Sequence, residues 1–225
     1  MNKILNIAHR GFTKKFPDNT LEAFYAAIKL GIDGIECDVH ETADQNFVIF
    51  HDNELAGKTI TELRLSEIRK VKIADHYQIP TLEETLELCH NHIQVMLEIK
   101  SVHSLDFFMD ILKSKMKPAE LFITSFYPDI IRRLADFAPQ IRRGILTGYQ
   151  LDDPLKIMDL SRVKMILPRF PFVTTDLIKT VHACNFSVIT WDCNRTQDIQ
   201  IAAELSVDGI ITDSPEILLE IMGKQ

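Results

Sequence analysis

The sequence predicts an α/β protein built as a closed (β/α)8 TIM barrel, and three observations carry that expectation. Short apolar runs alternate with longer amphipathic stretches along the whole chain, and eight of the runs read as parallel strands. The 225 residues, 46% of them hydrophobic, suffice for one full core in the size range where single α/β barrels are usual. Chemically active side chains also fall at the C-terminal ends of the expected strands, where such barrels carry their sites. One barrel domain over residues 1–225 is the expectation.

In chain order, 4–8 is the first strand and ends in His9-Arg10-Gly11. Asn19 or Thr20 then caps a helix to about Leu30, with Glu22 in its first turn and Gly31 as its stop. The second strand is 34–40. The link 41–46 is too short for a helical crossover, so 47–50 returns antiparallel as a hairpin arm. With the turn centred near Ala43 and Asp44, Glu36 lies opposite His51, and the period of two places Glu36, Asp38 and His40 on one face. Residues 53–80 are charged and poor in strand signals, a short inserted excursion with one helix at 65–71. Thr81-Leu82-Glu83-Glu84 is a capping-box start for a helix to about Asn91. Strands follow at 94–100, 121–125, 143–147, 163–167, 187–191 and 209–212. Helices fit between them at 104–116, 128–136, 153–160, 174–184 and 196–206, with a last one near 215–222.

A net charge of −7 and a pI near 5.6 exclude the clustered basic excess of a nucleic-acid-binding surface. No stretch approaches ~18 uninterrupted apolar residues, and the apolar run before His9 is far short of a signal peptide's, so stable membrane association is not expected. Cys37, Cys89, Cys184 and Cys193 show no Cys-x-x-Cys spacing and read as reduced structural thiols, which suits a cytoplasmic enzyme.

The strand ends gather the chemistry. His9 and Arg10 close the first strand, Glu36 and Asp38 the second, Glu98 and Lys100 the third, and Ser125, Trp191 and Asp213 later ones. Glu36, Asp38 and Glu98 therefore converge on one mouth, where like charges raise one another's pKa unless a cation sits between them. An all-oxygen set suits one divalent cation, Mg²⁺ or Ca²⁺, rather than zinc. Phe126 and Trp191 read as pocket wall, Asp52 as a possible orienter of His51 or a plain turn residue, and Asp213 as a site residue or a helix-start signal. His40, His76, His90, His92, His103 and His182 read as surface or loop histidines, with His40 alone near enough to the site to support it.

The ordered set His9-Arg10-Gly11, Pro17-Asp18-Asn19-Thr20-Leu21-Glu22-Ala23-Phe24, Glu36-x-Asp38-Val39 with Thr42-x-Asp44, His51-Asp52, Ile79-Pro80-Thr81-Leu82, Leu97-Glu98-Ile99-Lys100, Ser125-Phe126 and Asp208-Gly209-Ile210-Ile211-Thr212-Asp213-x-Pro215 resembles the glycerophosphodiester phosphodiesterases. The resemblance spans nearly the whole chain. It implies a distorted (β/α)8 barrel, a divalent cation on Glu36, Asp38 and Glu98, an acid-base pair His9 and His51, and Arg10 and Lys100 near the phosphate. The chain departs from the pattern in three places: Asp18 replaces the usual Glu, the Arg-Thr-Thr and Gly-rich continuation after Asp52 is missing, and Trp-Thr-Val-Asn becomes Trp191-Asp192-Cys193-Asn194.

Phosphodiester hydrolysis demands such a set on its own chemistry. The ester is anionic and its alkoxide leaving group poor, so charge must be neutralised on the nonbridging oxygens and protons exchanged at opposite apices. A cation with Arg10 and Lys100 supplies the first, and two imidazoles, ordinary pKa ~6.5, the second. The expected function is metal-dependent hydrolysis of glycerophosphodiesters to glycerol 3-phosphate and an alcohol. Alternatives are a lysophospholipase D, a cyclising phospholipase-like activity, or a non-catalytic phosphate-binding barrel. An apolar surface beside the mouth would favour the lipid reading.

Overall fold

The computed structural model describes residues 3–223. The chain runs β1 (Leu5–His9), α1 (Leu21–Leu30), β2 (Gly34–Glu41), β3 (Phe47–Ile49), β4 (Glu54–Leu55), β5 (Lys58–Thr59), α2 (Leu65–Ile68), β6 (Lys72–Ile73), β7 (Tyr77–Gln78) and α3 (Leu82–Cys89). It continues with β8 (Gln94–Ser101), α4 (Leu105–Lys115), β9 (Leu121–Ser125), α5 (Pro128–Phe137), β10 (Arg142–Thr147), α6 (Pro154–Ser161), β11 (Met165–Pro168), α7 (Thr175–Ala183), β12 (Ser187–Thr190), α8 (Thr196–Glu204), β13 (Gly209–Thr212) and α9 (Pro215–Gly223). The sheet order β1-β13-β12-β11-β10-β9-β8-β2-β3, with β1 also paired to β2, closes eight parallel strands into a barrel and leaves β3 outside as the antiparallel arm.

Period-two alternation divides the apolar residues between two cores. Ile7, Met96, Phe122, Leu146, Met165, Leu167, Ile189 and Ile211 fill the barrel, and a larger set from the outer strand faces packs under the helices. All eight residues of β2 are buried, acids included, because one side faces the barrel interior and the other faces helices. Helix ends follow local chemistry: Thr20 accepts the amide N–H of Ala23, Gly31 stops α1 at φ 75°, and Thr81 with Glu84 forms the capping box of α3.

Three local expectations are corrected. The β2-β3 register is Val39↔Ile49, His40↔Val48 and Glu41↔Phe47, which centres the turn on Asp44 and places Cys37 rather than Glu36 opposite His51. The physical reason is the turn itself: Gln45 takes φ 58°, and the Thr42 hydroxyl accepts the Asn46 amide, so the loop holds one residue more. Next, 53–80 is not strand-poor. Two small hairpins, β4-β5 and β6-β7, flank a short α2 that ends at Ile68, and Leu55, Ile60, Leu63, Ile68 and Ile79 form a core of their own against Val48. Third, β11 begins at Met165, two residues later than expected, because Arg162 takes a left-handed φ of 53° to end α6.

Candidate active site

The mouth of the barrel is built from the ends of β1, β2, β8, β12 and β13. Glu36, Asp38 and Glu98 are buried, and each places an oxygen within 4.8 Å of the others. Parallel pairing sets Asp38 directly beside Glu98. Burial, and next the charge of Asp38, push Glu36 up to about 8. Burial likewise raises Glu98, against the pull of Lys100. Asp38 goes the other way: burial is outweighed by Lys100, Arg10 and the Asn19 hydrogen bond, which hold it below the ordinary carboxylate range.

Two cations thread this cluster. Lys100 Nζ lies 2.5 Å from Glu98 Oε1 and 3.1 Å from Asp38 Oδ1, and Arg10 Nε lies 3.3 Å from Asp38 Oδ2. Two positive charges against three carboxylates leave one negative charge uncompensated. Glu36 Oε1 is also buried without a hydrogen-bond partner. Hard oxygen donors, left-over negative charge and unpartnered lone pairs together fit a divalent cation held by Glu36, Asp38 and Glu98.

The two histidines stand against different members of the triad. His9 Nε2 is 3.9 Å from Glu36 Oε2, while its Nδ1 is 2.8 Å from Asp213 Oδ1. Burial lowers the His9 pKa, but the Asp213 hydrogen bond and the Glu36 charge more than offset this and leave it raised. His51 follows β3, is 39% exposed, and pairs through Nδ1 with Asp52 Oδ1 at 2.8 Å. The Phe50 amide donates to the Asp38 carbonyl at 3.0 Å, which sets the neighbouring His51 beside the carboxylate cluster. Trp191 lines the same small cavity as His9, Glu36 and Glu98, and its Nε1–H donates to the Leu167 carbonyl at 2.8 Å. Phe126, 40% exposed, meets the Trp191 ring edge to face at 5.6 Å. Beside them a groove of about 310 Å³ runs past His9, Arg10, Asp18 and Asp213. The shorter Asp18 still reaches Arg10 Nη1, at 3.3 Å.

Sequence reasoning left four supporting residues without a role or with a divided one. Asn19 does not cap α1; its Nδ2–H donates to Asp38 Oδ2 at 2.8 Å. Its signal was the doubled cap candidate Asn19-Thr20, of which a helix uses one. Asp213 is a site residue as well as a helix-start neighbour, and Asn194 holds it from both sides: Nδ2–H to Asp213 Oδ2 at 2.6 Å, and Oδ1 from the Asp213 amide at 2.8 Å. His40 is buried, not superficial, with Nδ1 2.9 Å from Ser101 Oγ; burial lowers its pKa to about 4. Arg10, Asn19 and Asp192 at this mouth adopt left-handed φ, at 55°, 56° and 66°.

Residues 9–217 match the model of the glycerophosphoryl diester phosphodiesterase family. The chain belongs to this family. It is a phosphoric diester hydrolase. A glycerophosphodiester phosphodiesterase from Caldanaerobacter subterraneus subsp. tengcongensis is 30% identical over 240 aligned positions, covering 99% of both chains. One from Bacillus altitudinis is 27% identical, covering 98% of both. Among solved structures, an Oleispira antarctica phosphodiesterase in complex with the product sn-glycerol-3-phosphate superposes with a TM-score of 0.91 at 21% identity, covering 99% of this chain and 97% of that one. A glycerophosphodiester phosphodiesterase from Parabacteroides distasonis superposes at 0.88 with 23% identity, covering 99% of each. Among the described residues no helix is long and apolar enough to cross a membrane.

Proposed function

We propose that this family member hydrolyses glycerophosphodiesters to glycerol 3-phosphate and an alcohol, using one divalent cation on Glu36, Asp38 and Glu98 and His9 and His51 as an acid-base pair. The observation that carries the reading is the buried three-carboxylate cluster with an unpartnered Glu36 oxygen, flanked by His9 on the Glu36 side and by His51 at the end of β3, where the Phe50 amide bonds the Asp38 carbonyl. When bound, the cation supplies Lewis acidity to the nonbridging oxygens. Arg10 and Lys100 fix its carboxylates and extend positive charge toward the phosphate. Asp213 and Asp52 fix the tautomers of His9 and His51, so that each presents Nε2 for proton transfer.

The nucleophile in this reading is the glycerol hydroxyl next to the ester. One histidine takes its proton, a new P–O bond closes a cyclic phosphate, and the headgroup alcohol leaves with a proton from the other histidine. Water then opens the ring with the roles reversed. Proximity favours this route over direct attack by water. A substrate lacking that hydroxyl tests it: retained binding with near-complete loss of turnover supports it, and an undiminished rate refutes it. The substrate assignment itself is tested by glycerol 3-phosphate release from a glycerophosphocholine and glycerophosphoethanolamine panel, which Glu98→Gln should abolish.

A second reading, lysophospholipid cleavage, is favoured by one observation. Tyr127 and Tyr149, in the loops after β9 and β10, are 58% and 61% exposed and stand with Phe126 as an aromatic rim near the mouth. A lysophospholipid carrying the same headgroup, turned over faster than its deacylated counterpart, would establish that reading.

A further inference from the structure

A sizeable cavity lies away from the mouth. It holds about 410 Å³ and opens at the opposite end of the barrel, where β10 to β13 begin. That volume lies in the ~300–1,000 Å³ range of small-molecule sites. Its floor is the lowest apolar layer of the barrel, Phe122, Met165 and Ile189, and its wall carries Arg142, Arg143, Arg162 and Lys164.

Four cations in one cavity are unexpected on a chain of net charge −7. Among the described residues, only Arg162 has a carboxylate partner, Asp136 at 3.1 Å. The Arg142 guanidinium carbon lies over the Phe122 ring, 3.5 Å from its centroid, and Arg142 spends one N–H on the Ala119 carbonyl. Arg143 donates to the Ala138 and Ile141 carbonyls, while its Nε is buried without a partner. The one acid in the lining, Asp208, is already engaged by His182 Nε2 at 2.9 Å and by the Val188 amide at 2.8 Å. Burial without a nearby carboxylate depresses the Arg142 pKa, a cost that a bound anion would relieve.

We propose that this cavity is a second anion site, which binds a small phosphate monoester with its phosphate between Arg142 and Lys164 and its apolar body on Phe122 and Met165. The dianion matches the guanidinium forks, which favour planar two-point contacts to phosphate oxygens. The apolar floor distinguishes an organic ester from free phosphate. Nothing in this assignment depends on the reading of the mouth.

Met165 gives a local probe. Protein labelled with ¹³C at the methionine methyls, with the Met165 resonance identified by Met165→Leu, is titrated with phenyl phosphate and separately with inorganic phosphate. The Met165 signal should shift saturably, with phenyl phosphate at least ~10-fold tighter than phosphate. Arg142→Gln combined with Lys164→Gln should weaken binding at least ~10-fold, while kcat/KM on a glycerophosphodiester stays unchanged. Lys164→Gln alone, at an exposed position, should weaken binding severalfold with the fold undisturbed, and Arg132→Gln on the outer face of α5 should leave it unchanged. A Met165 signal that stays still up to ~10 mM of either ligand, or a shift that survives loss of both cations, overturns the proposal. Equal affinity for the two ligands assigns the cavity to free phosphate and overturns the ester.

Discussion

His9 is set by two carboxylates with different duties. Glu36 faces its Nε2 and Asp213 grips its Nδ1, so the ring cannot turn without breaking a hydrogen bond at part-buried depth. His51 has the matching partner in Asp52 but greater exposure. Replacing either histidine with Ala should lower kcat at least ~10²-fold with little change in substrate binding, and the double variant should fall far short of the product of the two, because they serve one reaction. Steady-state kinetics on all three proteins checks this. Asp213→Asn keeps the volume but loses the charged acceptor, and ~10–100-fold in kcat is the expected cost. The residues legible in sequence at this scale were those whose own strand position aims them at the mouth: His9, Glu36, Asp38 and Glu98. Asn19, Asn194 and Asp213 were obscure because amides and a post-strand Asp are also ordinary cap and turn residues, and only their through-space partners, Asp38 and His9, give them a role.

At the level of elements, β2 ties the mouth to its neighbours. Its last residue, Glu41, accepts the amides of His103 and Ser104, at 2.6 and 2.9 Å, and the Ser104 hydroxyl at 2.7 Å, so a strand-end carboxylate caps α4 from outside. Burial would raise the Glu41 pKa, but these donors outweigh it and leave it lowered. A depressed folded-state pKa means that the stabilisation is present above the ordinary value and is lost as pH falls through the folded one. Glu41→Ala should therefore cost about 1–2 kcal/mol at neutral pH and progressively less below about pH 4.5, as read from denaturant melts of both proteins across pH. Strand and helix order was readable from the two periodicities, and most ends fell within a residue or two of the expected places. Turn geometry was not readable: a left-handed Gln45 moved the hairpin register by one, and the 53–80 segment hid two-residue strands too short to leave a period.

On the scale of the whole molecule, the barrel carries its charge asymmetrically, with clustered acids at the C-terminal mouth and, at the N-terminal end, four cations of which only Arg162 has a carboxylate partner among the described residues. Arg169 and Asp192 pair at the rim, with Arg169 Nη2 2.7 Å from Asp192 Oδ2, so the acid that departs from the family pattern is neutralised by its own chain. The compact 53–80 excursion and the open groove beside His9 leave room for several headgroups. Rates for choline, ethanolamine, serine and inositol esters should accordingly differ by less than ~10³, and competition assays among the four would expose a larger preference. The central claim is that the carboxylate triad works through a cation. The direct measurement is turnover of a glycerophosphodiester by chelated protein, followed by titration with Mg²⁺, Ca²⁺ and Mn²⁺. Activity should vanish on chelation and return saturably with at least one of these ions, whereas full activity in metal-free protein would contradict the account.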